Sequence, residues 1–171
     1  MGAIVPRHKM LSFYGVTTTT TDSTTTPPTV TTTTTYYRMK KFTQLSQSKN
    51  PQEYSRKYVD EPTQRTDVTG FAPQIDYGFD KHRSDPVLTD IVNITNDELL
   101  GADAVRTIIT VDTETGDAYQ REYTVSPGSE GDDVNIYKYA GSFKANGEQV
   151  KGTATTSDDW QTVTFSAASG T

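Results

Sequence analysis

Nucleophilic catalysis needs a Ser, Thr or Cys beside a base, and protein metal sites favour clustered imidazoles and thiolates. This chain carries only two histidines, His8 and His82, and no cysteine. Neither histidine lies in a motif, and Lys81 and Arg83 surround the second with positive charge, so neither a triad nor a histidine metal site is expected. No glycine-rich phosphate loop joins a strand to a helix. Carboxylates are plentiful: Asp112, Glu114 and Asp117 fall in one short segment, and Glu130, Asp132 and Asp133 in another. Clustered oxygens can gather around a hard cation such as Ca²⁺, but neither group follows a calcium-loop spacing, so both read as solvated acidic turns. Tyr54, Arg56 and Tyr58 alternate along one strand face next to Lys57. That pattern can stack bases, yet a net charge of −6 favours a subunit contact instead. The expectation is a protein without catalytic residues, cofactor or metal, and not an enzyme.

The elements that position these residues are mostly strands. In Ala104 to Val125, residues Val105, Thr107, Ile109 and Val111 share one side of an arm, and Tyr119, Tyr123 and Val125 share one side of the next. An Asp, Thr and Gly-rich segment with Gly116 separates them, which predicts an antiparallel hairpin with one dry and one wet face. Met10 to Val16 could be a first strand, and Tyr36 to Gln47 alternates as one strand with Tyr37, Met39 and Leu45 on a side. Further strands are expected at Gln74 to Asp80, after Pro73, and at Trp160 to Phe165. Val134 to Lys144 and Glu148 to Thr155 flank Asn146-Gly147, a strong hairpin signal. One helix is expected near Ser84 to Thr95: Ser84 or Asp85 caps it, Pro86 suits its first turn, and Leu88, Ile91, Val92 and Thr95 form an apolar stripe.

Thr17 to Thr35 holds fourteen threonines in nineteen residues, broken by Asp22, Ser23, Pro27, Pro28 and Val30. Threonine prefers extended backbone and the Pro-Pro pair blocks helix, so an exposed, extended and flexible loop insertion over 17–35 is expected. Residues 166–171 form a small polar tail, read as an arm.

At 171 residues there is room for one domain over 1–171. Leu, Ile, Val and Phe together number 31, about 18%, which is low for a self-sufficient globule. A thin core filled out by ten tyrosines points to a fold that gains stability by burying surface against other chains. The charge is divided: residues 1–65 carry nine Lys/Arg against four Asp/Glu, and residues 66–171 carry seven against eighteen. Unlike halves can attract one another between copies, unless folding mixes the signs on one surface. An acidic total disfavours tight nucleic-acid binding. No long apolar run and no secretory leader is read, so the expectation is a soluble product that is not exported.

A family can be attached to these residues. The run Tyr37-Arg-Met-Lys-Lys-Phe-Thr-Gln-Leu-Ser-Gln-Ser-Lys-Asn-Pro-Gln-Glu-Tyr-Ser-Arg-Lys-Tyr-Val-Asp-Glu61 resembles the major tail protein, or tail tube protein, of long-tailed bacteriophages and related prophages. The pattern continues through Thr66-Asp-Val-Thr-Gly-Phe71, Ile75-Asp-Tyr77 and Leu99-Leu-Gly-Ala-Asp-Ala-Val-Arg106, and the Thr-rich tract departs from it. The resemblance implies a mainly β chain: a β-sandwich of two antiparallel sheets with one flanking α-helix, an extended N-terminal loop and terminal arms. It implies a structural virion protein whose hexameric rings stack into the tail tube, the conduit for DNA ejection. Partners would be further copies of itself and other tail proteins such as the tape measure and the tail terminator, with transient passage of DNA and no membrane. Its place would be the phage tail, assembled in the host bacterial cytoplasm. An alternative from another class is a β-sandwich surface-binding module on a Thr-rich stalk, which glycosylation of the tract would support.

Overall fold

Residues 2–131 and 133–169 are described by a computed structural model. Eleven strands and one α-helix account for most of them: β1 (Met10–Asp22), β2 (Thr29–Arg38), β3 (Phe42–Ser48), β4 (Pro51–Arg56), β5 (Arg65–Phe71), β6 (Gln74–Asp80), α1 (Pro86–Asn96), β7 (Val105–Asp112), β8 (Asp117–Glu130), β9 (Lys138–Ala145), β10 (Val150–Thr155) and β11 (Thr162–Ala167). The chain is therefore mainly β with one helix, as the alternation requires. Its layers differ from the expected sandwich of two sheets. Nine strands join in one sheet, in the order β10-β11-β2-β1-β7-β8-β9-β6-β3, and β10 also pairs with β8. That extra pairing closes β10, β11, β2, β1, β7 and β8 into a six-stranded barrel, from which β9, β6 and β3 continue as an open arm. Closure is non-local, joining strands distant in sequence, so no local pattern announces it.

The central hairpin β7–β8 forms in the register Val105↔Thr124 to Val111↔Ala118, with Gly116 at φ 81° in its turn. The expectation of one dry face is corrected. Val111 sits opposite Ala118, so the apolar residues of the first arm share a face with Ala118 and Gln120, while Tyr123 and Val125 point to the other side. Both faces are covered. Phe13, Ile109, Val111, Ala118, Ala154 and Val163 fill the barrel interior. On the outside, Tyr14, Ile108, Tyr123 and Val125 meet Ile75, Tyr77, Phe79 and Phe143 of the open arm. Tyr77 stacks on Phe143 with centroids 4.5 Å apart, and burial pushes its hydroxyl up to about 12. β10 and β11 approach closely at Gly152: a Cβ there would lie 2.1 Å from the Ser166 carbonyl oxygen, so only glycine fits.

The helix matches its sequence signals. Asp85 accepts from the Val87 and Leu88 amides at 3.0 and 3.3 Å, Pro86 opens the first turn, and Leu88, Ile91 and Val92 are buried. Val87 and Ile94 are buried too, a wider face than the expected stripe, because the outer core surrounds the helix on more than one side. A polar clasp fixes it to the barrel: Asp90 accepts from the Tyr14 hydroxyl at 2.5 Å and from Arg106 Nε at 2.9 Å. Burial and the adjacent Asp90 carboxylate hold the Tyr14 hydroxyl well above its ordinary value.

Four further expectations give way. Tyr36 to Gln47 is two strands, not one, because Lys41 at φ 65° turns the chain between β2 and β3; Tyr37, Met39 and Leu45 still reach the same outer core. Asn146-Gly147 makes no hairpin. β9 and β10 run end to end along the same edge of β8, with Ala145 opposite Tyr123 and Val150 opposite Gln120, so the Asn-Gly segment is a corner where the chain passes from arm to barrel. The Thr-rich tract is exposed and extended but is not a flexible loop: it lengthens β1 and β2 into a paired hairpin, register Thr17↔Thr34 to Asp22↔Thr29. Both its ends enter one barrel, so it joins no second part in the manner of a stalk. At the C-terminus β11 runs to Ala167 and Ala168 donates to the Lys151 carbonyl at 2.9 Å, so the expected arm over 166–171 begins inside the barrel; residues 170–171 lie outside the described residues.

Candidate assembly surface

Tyr54, Arg56 and Tyr58 lie close together, but not on one strand face as expected: β4 ends at Arg56, and Tyr58 follows it in the connection to β5. Strand β4 pairs only with β5, from Pro51↔Phe71 to Arg56↔Arg65 with a bulge at Gln52/Glu53, forming a ribbon separate from the nine-stranded sheet. The Arg56 guanidinium lies 5.6 Å from the centroids of both tyrosine rings, and its Nε donates to the Tyr58 hydroxyl at 2.8 Å. It also pairs with Asp67 across the ribbon, and that hydrogen bond raises its pKa further. Arg65 grips Glu61 through two hydrogen bonds of 2.8 and 2.7 Å. These contacts hold the ribbon's shape while leaving its apolar groups bare.

Tyr54 and Tyr58 are 57% and 46% exposed, and Val68 and Phe71 are 54% and 63% exposed. Cross-strand register puts Tyr54 beside Asp67 and Val68 beside Glu53, so the apolar groups lie on opposite faces of the two-stranded unit. Val68 and Phe71 are not among the sequence-derived candidates; standing three apart in Arg65–Phe71, they give no two-residue alternation that would mark them. Next to the ribbon, β3 ends the sheet, pairs on one side with β6 alone, and exposes most of its residues. Asn50, at φ 43°, turns β3 into β4. A free sheet edge and an uncovered ribbon are thus continuous along residues 42–71.

Among the described residues, acidic side chains of both segments bond within their own turns. Asp112 accepts from the Glu114 amide at 3.0 Å and Asp117 from the Thr115 hydroxyl at 3.1 Å, so both serve the β7–β8 turn. Asp133 accepts from the Asn135 and Ile136 amides and pairs with Lys138 at 3.0 Å; the amide bond of Asn135, then Lys138, lowers its pKa to about 2. Glu130 ends β8, and Asp132 lies outside the described residues. Among the described residues no three His, Cys, Asp or Glu side chains gather as metal ligands. His82 contacts the Asp80 carbonyl at 2.7 Å, and His8 is exposed in a short turn before β1. A cleft of about 410 Å³ lies beside the Asp90–Arg106 clasp, whose groups already satisfy one another. No helix among the described residues is long and apolar enough to cross a membrane.

No protein-family model matches the chain, and no curated protein matches it. Among solved structures it is similar to a chain in a six-fold symmetrised cryo-EM structure of the anti-feeding prophage baseplate, with 7% identity and a TM-score of 0.44 over 88% of this chain and 97% of that one. A likeness this loose carries no argument about role.

Proposed function

We propose that this chain is a structural component of a phage-type particle and, more finely, a tail tube subunit whose hexameric rings stack into the conduit for DNA ejection. Two lines support the reading. The residues from Tyr37 to Arg106 resemble tail tube proteins, and the fold leaves one sheet edge and one apolar ribbon uncovered at adjoining positions. The second observation carries it. An isolated two-stranded ribbon is marginal in water, and a bare edge invites strand pairing, so a protein that keeps both gains most by supplying them to a neighbour. Six copies at −6 each would carry about −36 per ring, a charge that repels the DNA backbone and keeps it from adhering in transit. The chain would act as a wall and not as a catalyst, with other tail proteins at the ends of the tube. Negative-stain microscopy of the purified chain across a concentration series tests this: rings or tubes are expected, and a strictly monomeric species at the highest soluble concentration would overturn it.

A further inference from the structure

Arg121 stands on β8 opposite Ile108 of β7, on the face turned away from the barrel interior. Its Nε and Nη1 atoms are buried without a hydrogen-bond partner, and no ion pair among the described residues reaches it. Arg121 is half-buried as a residue, but at these two atoms the N–H groups have lost water and gained nothing, which is costly. The side chain lines a pocket of about 310 Å³ with Lys49, Ile108, Tyr119 and Tyr123. Two cations and no carboxylate line this pocket, while the phenol rings and Ile108 offer apolar wall for a short methylene stem. Lys49 lies between β3 and β4, so the pocket adjoins the free edge and the ribbon.

We infer that the Arg121 pocket receives a carboxylate, and that in the assembled protein the carboxylate is an Asp or Glu side chain of a second copy of this chain. The occupant rests on the association reading above and on composition: residues 66–171 carry eighteen acidic against seven basic side chains, so a neighbouring copy presents carboxylates in excess. A planar guanidinium with several donors suits a carboxylate better than a lysine ammonium would, which makes the pocket sensitive to Arg→Lys exchange. The pocket is also small enough to admit a side chain and to exclude a whole strand.

The test uses the full chain. Arg121→Gln and Arg121→Lys are each expected to raise the concentration for half-assembly about tenfold or more, as truncating a buried charge partner does at other interfaces. Exposed Arg83→Gln, which removes the same charge elsewhere, should shift it far less. Monomer melting should stay as in the wild type; a matching loss of monomer stability would make Arg121 part of the fold and overturn the inference, as would unchanged assembly. A second measurement separates this inference from the tail tube reading. Propionate, which carries the end of a Glu side chain, is titrated into dilute monomer while the methyl resonances of Ile108, present in wild type and variant alike, are followed by NMR. A saturable shift that Arg121→Gln abolishes supports the pocket. Absence of a shift overturns it even if rings form. A shift in a chain that never assembles retains the carboxylate site, rejects the second copy as occupant and rejects the tail tube reading.

Discussion

Two hairpins leave the body of this protein, and they solve the same problem in opposite ways. The Thr-rich hairpin satisfies itself. Thr17 and Thr34 share a hydroxyl hydrogen bond of 2.9 Å, Asp22 accepts from the Thr24 amide at 2.9 Å and from its hydroxyl at 2.5 Å, and Thr25 meets Thr29 across the tip at 3.0 Å. Its strands are extensions of β1 and β2, rooted where Phe13 and Tyr14 are fully buried. The β4–β5 ribbon has no such root in the sheet, and it holds Tyr54, Val68 and Phe71 out in solvent. A hairpin of threonines is complete in water; a hairpin of exposed aromatic and branched side chains is complete only under cover. The difference separates a projection that can remain free from one whose chemistry asks for a partner.

The comparison breaks first at the root. Phe13→Ala empties a position at the heart of the barrel and should cost about 3 to 5 kcal/mol, read by denaturant unfolding, with the Thr-rich hairpin lost along with the barrel. A cost below about 1 kcal/mol would show that the hairpin's root is not in the core. Next comes the ribbon. Tyr54→Ser with Phe71→Ser should raise the concentration for half-assembly at least about tenfold while costing the monomer no more than about 1 kcal/mol, the exposed contact of Arg56 with Tyr54. Equal assembly by wild type and double variant would erase the distinction between the hairpins.

Acid sharpens it. The Thr24 hydroxyl, then its amide, lowers the Asp22 pKa, so the stabilisation of the tip is fully present above the ordinary carboxylate value and is lost as pH falls through the lowered folded value. Carboxyl ¹³C NMR should find Asp22 titrating below an Asp in an unfolded peptide; an ordinary midpoint would remove the tip's bonds from solution. The smallest effect belongs to the hairpin's polar stem. Thr19→Ala should change stability by no more than about 0.5 kcal/mol, because its 3.4 Å contact to Thr32 is weak and exposed.

Local chemistry made parts of this fold legible. Asp85-Pro86 and the spacing of Leu88, Ile91 and Val92 located the helix; Gly116 between two alternating arms located β7–β8; Pro73 marked the start of β6. What stayed hidden depends on partners remote in sequence. Alternation alone groups the apolar residues of β7 and β8 on one face, because it cannot tell which residue stands opposite which, and the register puts them on two. Asn146-Gly147 carried a turn signal, yet β8 offered one long edge to both flanking strands and turned the expected reversal into a corner. For the candidate surface, alternate spacing places Tyr54 and Arg56 on one face of β4 but does not show that the strand stops before Tyr58; Asp67, Val68 and Phe71 arrive from β5, and the free edge of β3 exists only once the order of the whole sheet is known. Nothing local to Arg121 marks it: its burial arises from the pairing of β7 with β8 and the nearby Gln47 and Lys49.

Amide hydrogen exchange, followed by mass spectrometry across a concentration series, asks most directly whether sister copies finish this molecule. Protection should rise with concentration over β3 and the β4–β5 ribbon, residues 42–71, while the Thr-rich hairpin over 17–35 exchanges at the same rate throughout. Concentration-independent exchange across residues 42–71, in a sample that spans the monomer and the highest soluble concentration, would contradict it.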